Sequence, residues 1–187
     1  MSAGAPASAN GRLVLVVGPS GAGKDSIINA AKTALDGQAQ FVFPPRLITR
    51  EPDLSEANIY ISLADLEAME RRGACLLAWR AHGCHYAVPK SILDDVNLGA
   101  VVIVNVSRSV VQEARRLVAK TNVVLVTADK DVRERRISTR ARESASFDRL
   151  AREAPGVLEL NPSLTIENNG ALDHAANTFV AFLKSLA

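Results

Sequence analysis

The chain predicts an α/β fold with a mostly parallel sheet, and three observations carry that reading. Leu13 to Val17, Val101 to Val104 and Val123 to Val126 are short continuous apolar runs, the pattern of strands buried on both faces. Stretches with helical spacing alternate with them, as in a chain that crosses over a sheet after each strand. The first run opens directly onto Gly18-Pro-Ser-Gly-Ala-Gly-Lys24, a G-x-x-x-x-G-K loop between strand and helix.

Each element has its own signal. After the loop, Asp25 to Leu35 reads as a helix, with Ile27, Ile28, Ala31 and Leu35 on one face. Pro44 to Pro89 reads differently. Short extended pieces (Asn58 to Ile61, Leu76 to Ala81, Cys84 to Val88) surround one helix near Leu63 to Arg72. We read residues of about 44–90 as a small, more antiparallel insertion hung on the main sheet. Val110 to Ala119 reads as a helix between two strands, and Asp129 can cap the next helix, through Ile137. Leu164 to Ile166 reads as a last short strand. Leu172, Ala175, Phe179, Phe182 and Leu186 recur at steps of three or four, an amphipathic C-terminal helix closing the core.

Composition bounds the function. The length of 187 residues suits one domain, expected over 11–187, after an Ala/Ser/Gly/Pro-rich tail over 1–10 expected to be disordered. Apolar residues at 48% suffice for a core, while aromatics at 4% are too few for the stacking platforms that bind single-stranded nucleic acid. A net charge of +2 gives no general drive toward nucleic acid or membrane. Two cysteines, Cys75 and Cys84, make no disulfide framework, and no apolar run reaches the roughly 18 residues of a membrane helix. A cytoplasmic protein working on small molecules, with neither nucleic-acid nor membrane partners, is the expectation.

The glycine loop supplies the chemistry. Gly18, Pro19, Ser20, Gly21, Ala22 and Gly23 can turn successive backbone N–H groups toward phosphate oxygens, and the helix N-terminus adds partial positive charge. Lys24 can reach the β- and γ-phosphates of ATP. The position after the lysine usually carries the hydroxyl that holds Mg²⁺; here Asp25 stands there, with Ser26 behind it. A carboxylate is also a magnesium ligand. The strand Val101 to Val104 leads into Asn105, where many phosphate-loop proteins carry a metal-linked Asp. The expectation is that Asp25 supplies the charge missing at Asn105; the plain alternative is a solvated first-turn acid.

At this point the sequence resembles the guanylate kinases. The loop Gly18 to Lys24 looks like theirs, and Ile48-Thr49-Arg50 looks like their substrate-phosphate motif. The match continues through Glu56-Ala-Asn58-Ile-Tyr60, Tyr86, the arginines Arg136, Arg140 and Arg142, and Asn168. The resemblance covers the chain after the tail. It implies a phosphate-loop NTPase core of guanylate-kinase type, an acceptor-binding insertion, and an arginine-bearing lid at about 138–150. It departs where guanine would be read. Counting back from Tyr86, one guanine-reading acid falls at Leu77, another at Asn105, and a hydroxyl at Arg46. A leucine cannot accept hydrogen bonds from a purine edge.

A closer similarity is to the ribose 1,5-bisphosphate phosphokinase family. It rests on Lys24-Asp25-Ser26, Ile48-Thr-Arg50, Glu56-Ala-Asn58, Trp79-Arg-Ala-His-Gly83, Asn105-Val-Ser-Arg108 and Arg140-Ala-Arg142-Glu143. Two glycines of that pattern are alanines here, Ala87 and Ala141. The resemblance implies an ATP- and Mg²⁺-dependent kinase of phosphonate degradation that makes 5-phosphoribosyl 1-diphosphate from ribose 1,5-bisphosphate. A base-free sugar with two phosphates calls for arginines rather than base-reading acids. Arg50 and Arg108, with Arg46 as a lesser candidate, suit phosphate because a guanidinium fork meets two oxygens. Tyr60 and Tyr86 can add hydroxyls, and Glu56, Asn58 and Asn105 can bond the sugar. Lys24, Arg140 and Arg142 are the expected catalytic residues, with Arg136 and Asn168 on the nucleotide.

Other readings remain open on sequence grounds. A nucleoside monophosphate kinase with an unusual base pocket is one, and a non-catalytic guanylate-kinase-like binding module is another. His82-Gly-Cys84-His85 crowds three possible metal ligands onto one hairpin with no distant fourth.

Overall fold

The computed structural model describes residues 11–51, 58–143 and 160–187. Five strands form a wholly parallel sheet in the order β2-β7-β1-β8-β9: β2 (Phe41–Val42), β7 (Val101–Asn105), β1 (Arg12–Val17), β8 (Thr121–Thr127) and β9 (Leu164–Glu167). Alternation along β1 divides the interior. Leu13, Leu15 and Val17 face one apolar cluster, while Val14 and Val16 face another. Helices α1 (Lys24–Ala34) and α6 (Leu172–Leu186) cover the second face through Ile27, Ala31, Ala175, Phe179 and Leu183. The first face is covered by α3 (Ile92–Asn97), α4 (Val111–Leu117) and the insertion.

The insertion is a second sheet in the order β4-β3-β6-β5: β4 (Asn58–Tyr60), β3 (Arg46–Ile48), β6 (Cys84–Pro89) and β5 (Cys75–Ala81). β3 and β4 run parallel, and the other pairs are antiparallel. His82 and Gly83 close the β5–β6 hairpin, both at positive φ (51° and 72°), as the right-handed strand twist favours. One side of this sheet packs Leu47 and Ala87 on Leu66 of α2 (Leu63–Arg71). The Ser62 hydroxyl caps that helix by accepting the Asp65 N–H at 3.1 Å. Leu76, Leu77, Trp79 and Val88 join Leu13 and Val104 in a single cluster. The two sheets therefore share a core.

Most expected elements appear within a residue or two of their sequence positions, but five features differ. The two- and three-residue strands β2 and β3 and the six-residue helix α3 are too short to show a period. The segment after β7 begins as a 3₁₀ turn over Arg108–Val110 before α4. The helix expected to stop at Ile137 instead runs on as α5 (Lys130–Glu143). Arg140 and Arg142 thus stand on the last turns of α5, not beyond its end. No Gly or Pro interrupts Ser138 to Glu143, and Ala141 favours helix over a glycine by about 1 kcal/mol. The tail and most of the expected lid lie outside the described residues.

Candidate active site

The phosphate loop leaves the C-terminal end of β1, the central strand, and runs into α1. In an open parallel sheet this edge is where ligands gather. Two of its glycines are fixed by close approach. A Cβ at Gly18 (φ 152°) would collide with the Val126 carbonyl of β8, and one at Gly23 (φ 88°) with the Asn168 amide. Gly21 in turn lies against the Arg133 backbone of α5. Lys24 Nζ donates to the Gly18 and Pro19 carbonyls at 2.9 and 3.0 Å, so the lysine bridges its own loop. Gly23 caps α1 without any side-chain hydrogen bond, which leaves the first-turn N–H groups facing the loop.

Two residues from distant parts of the chain close the back of the loop. Asn168, buried at the end of β9, donates Nδ2–H to the Ala22 carbonyl at 2.9 Å, and its own N–H reaches the Thr127 carbonyl. Arg136 brings Nη1 to 3.7 Å from where a Gly23 Cβ would stand. That nitrogen is buried and has no hydrogen-bond partner among the described residues. A buried guanidinium N–H with nothing to bond is costly unless an anion meets it.

The acceptor side begins at Asp25. Asn105, at the end of β7, donates Nδ2–H to Asp25 Oδ1 at 2.7 Å. Arg46 Nη2 approaches the same oxygen at 3.7 Å, while Arg46 Nε donates to Asn58 Oδ1 at 3.0 Å. The Arg46 guanidinium also lies 5.7 Å from the centre of the Tyr86 ring. Tyr86 is stacked on Trp79 at 5.3 Å and 3°. Its phenol is pushed above the ordinary tyrosine value, mainly by burial, against the pull of Arg50, which hydrogen-bonds its hydroxyl. Through neutral pH the phenol therefore stays protonated.

The expected residues thus fall into two groups that meet at Asp25. Gly18 to Ser26, Arg136 and Asn168 gather at the loop; Arg50, Asn58, Tyr86 and Asn105 gather on the face opposite. Tyr60 is half exposed and registers beside Ile48, which pairs with Tyr86, so it stands at the outer rim. Arg108 opens the 3₁₀ turn after β7. Glu56 lies outside the described residues, as do the side chains of Arg140 and Arg142. Leu77 is 1% exposed and sits in the shared core. From the sequence, Trp79 is named only within a family motif, and its backing of Tyr86 is missed; the signal was their cross-strand pairing in the β5–β6 hairpin.

No protein-family model matches the chain. It is 45% identical over 177 residues to a ribose 1,5-bisphosphate phosphokinase of Methylobacterium radiotolerans, covering 94% of this chain and 98% of that one. To the enzyme of the same name from Rhodopseudomonas palustris it is 44% identical over 162 residues, 86% of this chain and 81% of the relative. Its fold resembles the guanylate kinase of Anaplasma phagocytophilum, with a TM-score of 0.65 at 13% identity, over 94% of this chain and 85% of the other. Identity this high along nearly the whole length of its relatives, on a guanylate-kinase-like fold, makes the chain a member of the ribose 1,5-bisphosphate phosphokinase family.

Proposed function

We propose that the chain transfers the terminal phosphoryl group of ATP to the 1-phosphate of ribose 1,5-bisphosphate, yielding 5-phosphoribosyl 1-diphosphate and ADP, in phosphonate degradation. The observation that carries this, beyond family membership, is the phosphate-suited cluster of Arg46, Arg50 and Tyr86, while Leu77 is withdrawn into the shared core. The N–H edge of a guanine would find only donors in those guanidiniums, whereas phosphate oxygens would find guanidinium and phenol donors that suit them.

In this reading an oxygen of the sugar 1-phosphate attacks the γ-phosphorus. A new P–O bond forms as the bond from that phosphorus to the β–γ bridging oxygen breaks, and ADP leaves. The attacking oxygen is already ionised at neutral pH, so no general base is needed. Positioning and charge stabilisation do the work. Lys24 and the first-turn N–H groups of α1 hold the β- and γ-phosphates, and the unpartnered Arg136 Nη1 meets the nucleotide from behind. Arg140 and Arg142, from the end of α5, bring positive charge to the transferring group. Asn58 and Asn105 bond the ribose hydroxyls, with Glu56, while Arg108 and Tyr60 line the acceptor entrance.

Asp25 fits a magnesium ion. Both of its contacts fall on Oδ1, from Asn105 and Arg46, leaving Oδ2 without a partner among the described residues. The ion supplies neutralisation of the phosphate charge that develops during transfer. Asp25 would hold it, Asn105 would fix the carboxylate's orientation, and the Ser26 hydroxyl stands one residue on. The reading needs only ATP, Mg²⁺ and a sugar phosphate, in the cytoplasm; among the described residues no helix is long and apolar enough to cross a membrane.

An acceptor panel tests it. With Mg-ATP, ribose 1,5-bisphosphate should be phosphorylated far better than GMP, AMP or ribose 5-phosphate, the product appearing as a new coupled diphosphate by phosphorus NMR. GMP turnover equal to that of the bisphosphate would overturn the assignment.

A further inference from the structure

We infer that Arg46 is the specificity-determining residue of the acceptor site, binding the non-reacting 5-phosphate while Arg50 and Tyr86 hold the phosphate that attacks. The inference rests on the reading above and assigns the two ends of the substrate to two ends of the pocket.

Four observations lead there. First, Arg46 and Arg50 approach Tyr86 from different directions: Arg46 lies against the ring, and Arg50 reaches the hydroxyl. A ligand with two anionic ends matches two guanidiniums held apart on one side chain. Second, Arg46 is held rather than loose. Its side chain is 13% exposed, with Nε fixed by Asn58 and its face on the ring, so its fork is oriented before any ligand arrives. Third, the fork is not used up. Nη1 makes no hydrogen bond to the described residues, and the 3.7 Å approach of Nη2 to Asp25 is too long to be one. Asp25 already takes a short bond from Asn105, so its carboxylate does not depend on Arg46. Fourth, a guanidinium has donors only. Pressed against the N–H edge of a base it would leave both partners unsatisfied, whereas a phosphate satisfies it twice over. Arg46 therefore favours a second phosphate and disfavours a nucleobase at the same spot.

The discriminating acceptor is ribose 1-phosphate, which keeps the attacking group and lacks only the 5-phosphate. Wild-type enzyme, Arg46→Gln and Arg46→Ser are compared on the bisphosphate and on ribose 1-phosphate. Gln preserves a hydrogen-bonding amide without the charge, and KM for ATP together with the thermal midpoint reports whether each variant is folded. The expected result is that wild type prefers the bisphosphate by about tenfold or more in kcat/KM. Both variants should lose most of that preference, chiefly through KM for the bisphosphate, with a much smaller loss on ribose 1-phosphate. Equal losses on both acceptors would show that Arg46 only braces Asp25 and Asn58, and would overturn the inference while leaving the reaction intact. A wild-type enzyme that ignores the bisphosphate would overturn the reaction and this inference together. If Arg46→Ser fails to fold, Arg46→Gln decides by the same two ratios.

Discussion

The two sheets of this molecule are built on opposite plans. The parallel sheet buries both of its faces, so β1 carries Leu13 to Val17 at 0% exposure without a break. The smaller sheet buries one face against α2, and on the other it carries apolar residues at one end and Arg46, Asn58 and Tyr86 at the other. The phosphate loop grows from the first sheet and the acceptor face from the second. The difference teaches where a kinase of this fold can change substrate. The loop is fixed by close backbone approaches at Gly18 and Gly23, while the half-open face of the insertion can exchange one side chain for another without disturbing the parallel core.

Four tests can break or sharpen that contrast. Leu77 belongs structurally to both halves, because it and Val88 are the residues of the insertion buried deepest in the shared cluster. Leu77→Ala should cost about 2–5 kcal/mol of stability in chemical denaturation. The ranking of acceptors should remain unchanged, and a shift in that ranking would mean that Leu77 lines the acceptor pocket after all.

Lys24→Met belongs wholly to the loop half. Turnover should fall at least about 100-fold on any acceptor, with the melting temperature little changed, because the lysine bridges the carbonyls of its own loop and its proposed work is on the phosphates. Near-normal rates would remove the phosphate-loop assignment altogether.

Arg140→Ala and Arg142→Ala should each lower kcat by about tenfold or more, with a smaller change in KM for ATP, since their charge is needed as the phosphoryl group moves. Steady-state kinetics at varied ATP checks this; an effect confined to KM would make them nucleotide anchors only.

The finest test sits on the boundary. Asp25→Asn should raise the Mg²⁺ concentration for half-maximal rate severalfold, measured at fixed free ATP. The pair Asp25→Ser with Asn105→Asp returns the negative charge to the end of β7, and should recover part of that loss. A magnesium dependence unmoved in Asp25→Asn would make Asp25 a first-turn acid that merely accepts from Asn105.

Much of this site could be read along the chain. The loop from Gly18 to Lys24 depends on local spacing between one strand and one helix, so its sequence is enough to place it. Long apolar runs and the C-terminal period behaved the same way, since burial on both faces or on one stripe writes itself into composition. β2, β3 and α3 were invisible because elements of two to six residues complete no period, and pairing with β7 and β6 is what makes β2 and β3 strands. The end of the arginine-bearing helix was misplaced because nothing between Ile137 and Glu143 marks a stop.

What the sequence by itself determined is the chemistry on offer: a phosphate loop, a misplaced acid at Asp25, Leu77 and Asn105 where a base reader would be acidic, and Arg46 where it would carry a hydroxyl. Tertiary structure alone decided which of these meet. Asn105 lies 80 residues from Asp25 in sequence and 2.7 Å from it in space, and Asn168 closes on Ala22 across 146 residues. Arg46 joins Asp25, Asn58 and Tyr86 only because β3 pairs with both β4 and β6 and the insertion packs on the parallel sheet. Local patterns record burial and backbone preference, which each residue carries with it. Contacts between distant side chains depend on strand order and on how two sheets share one core, and no single segment encodes those.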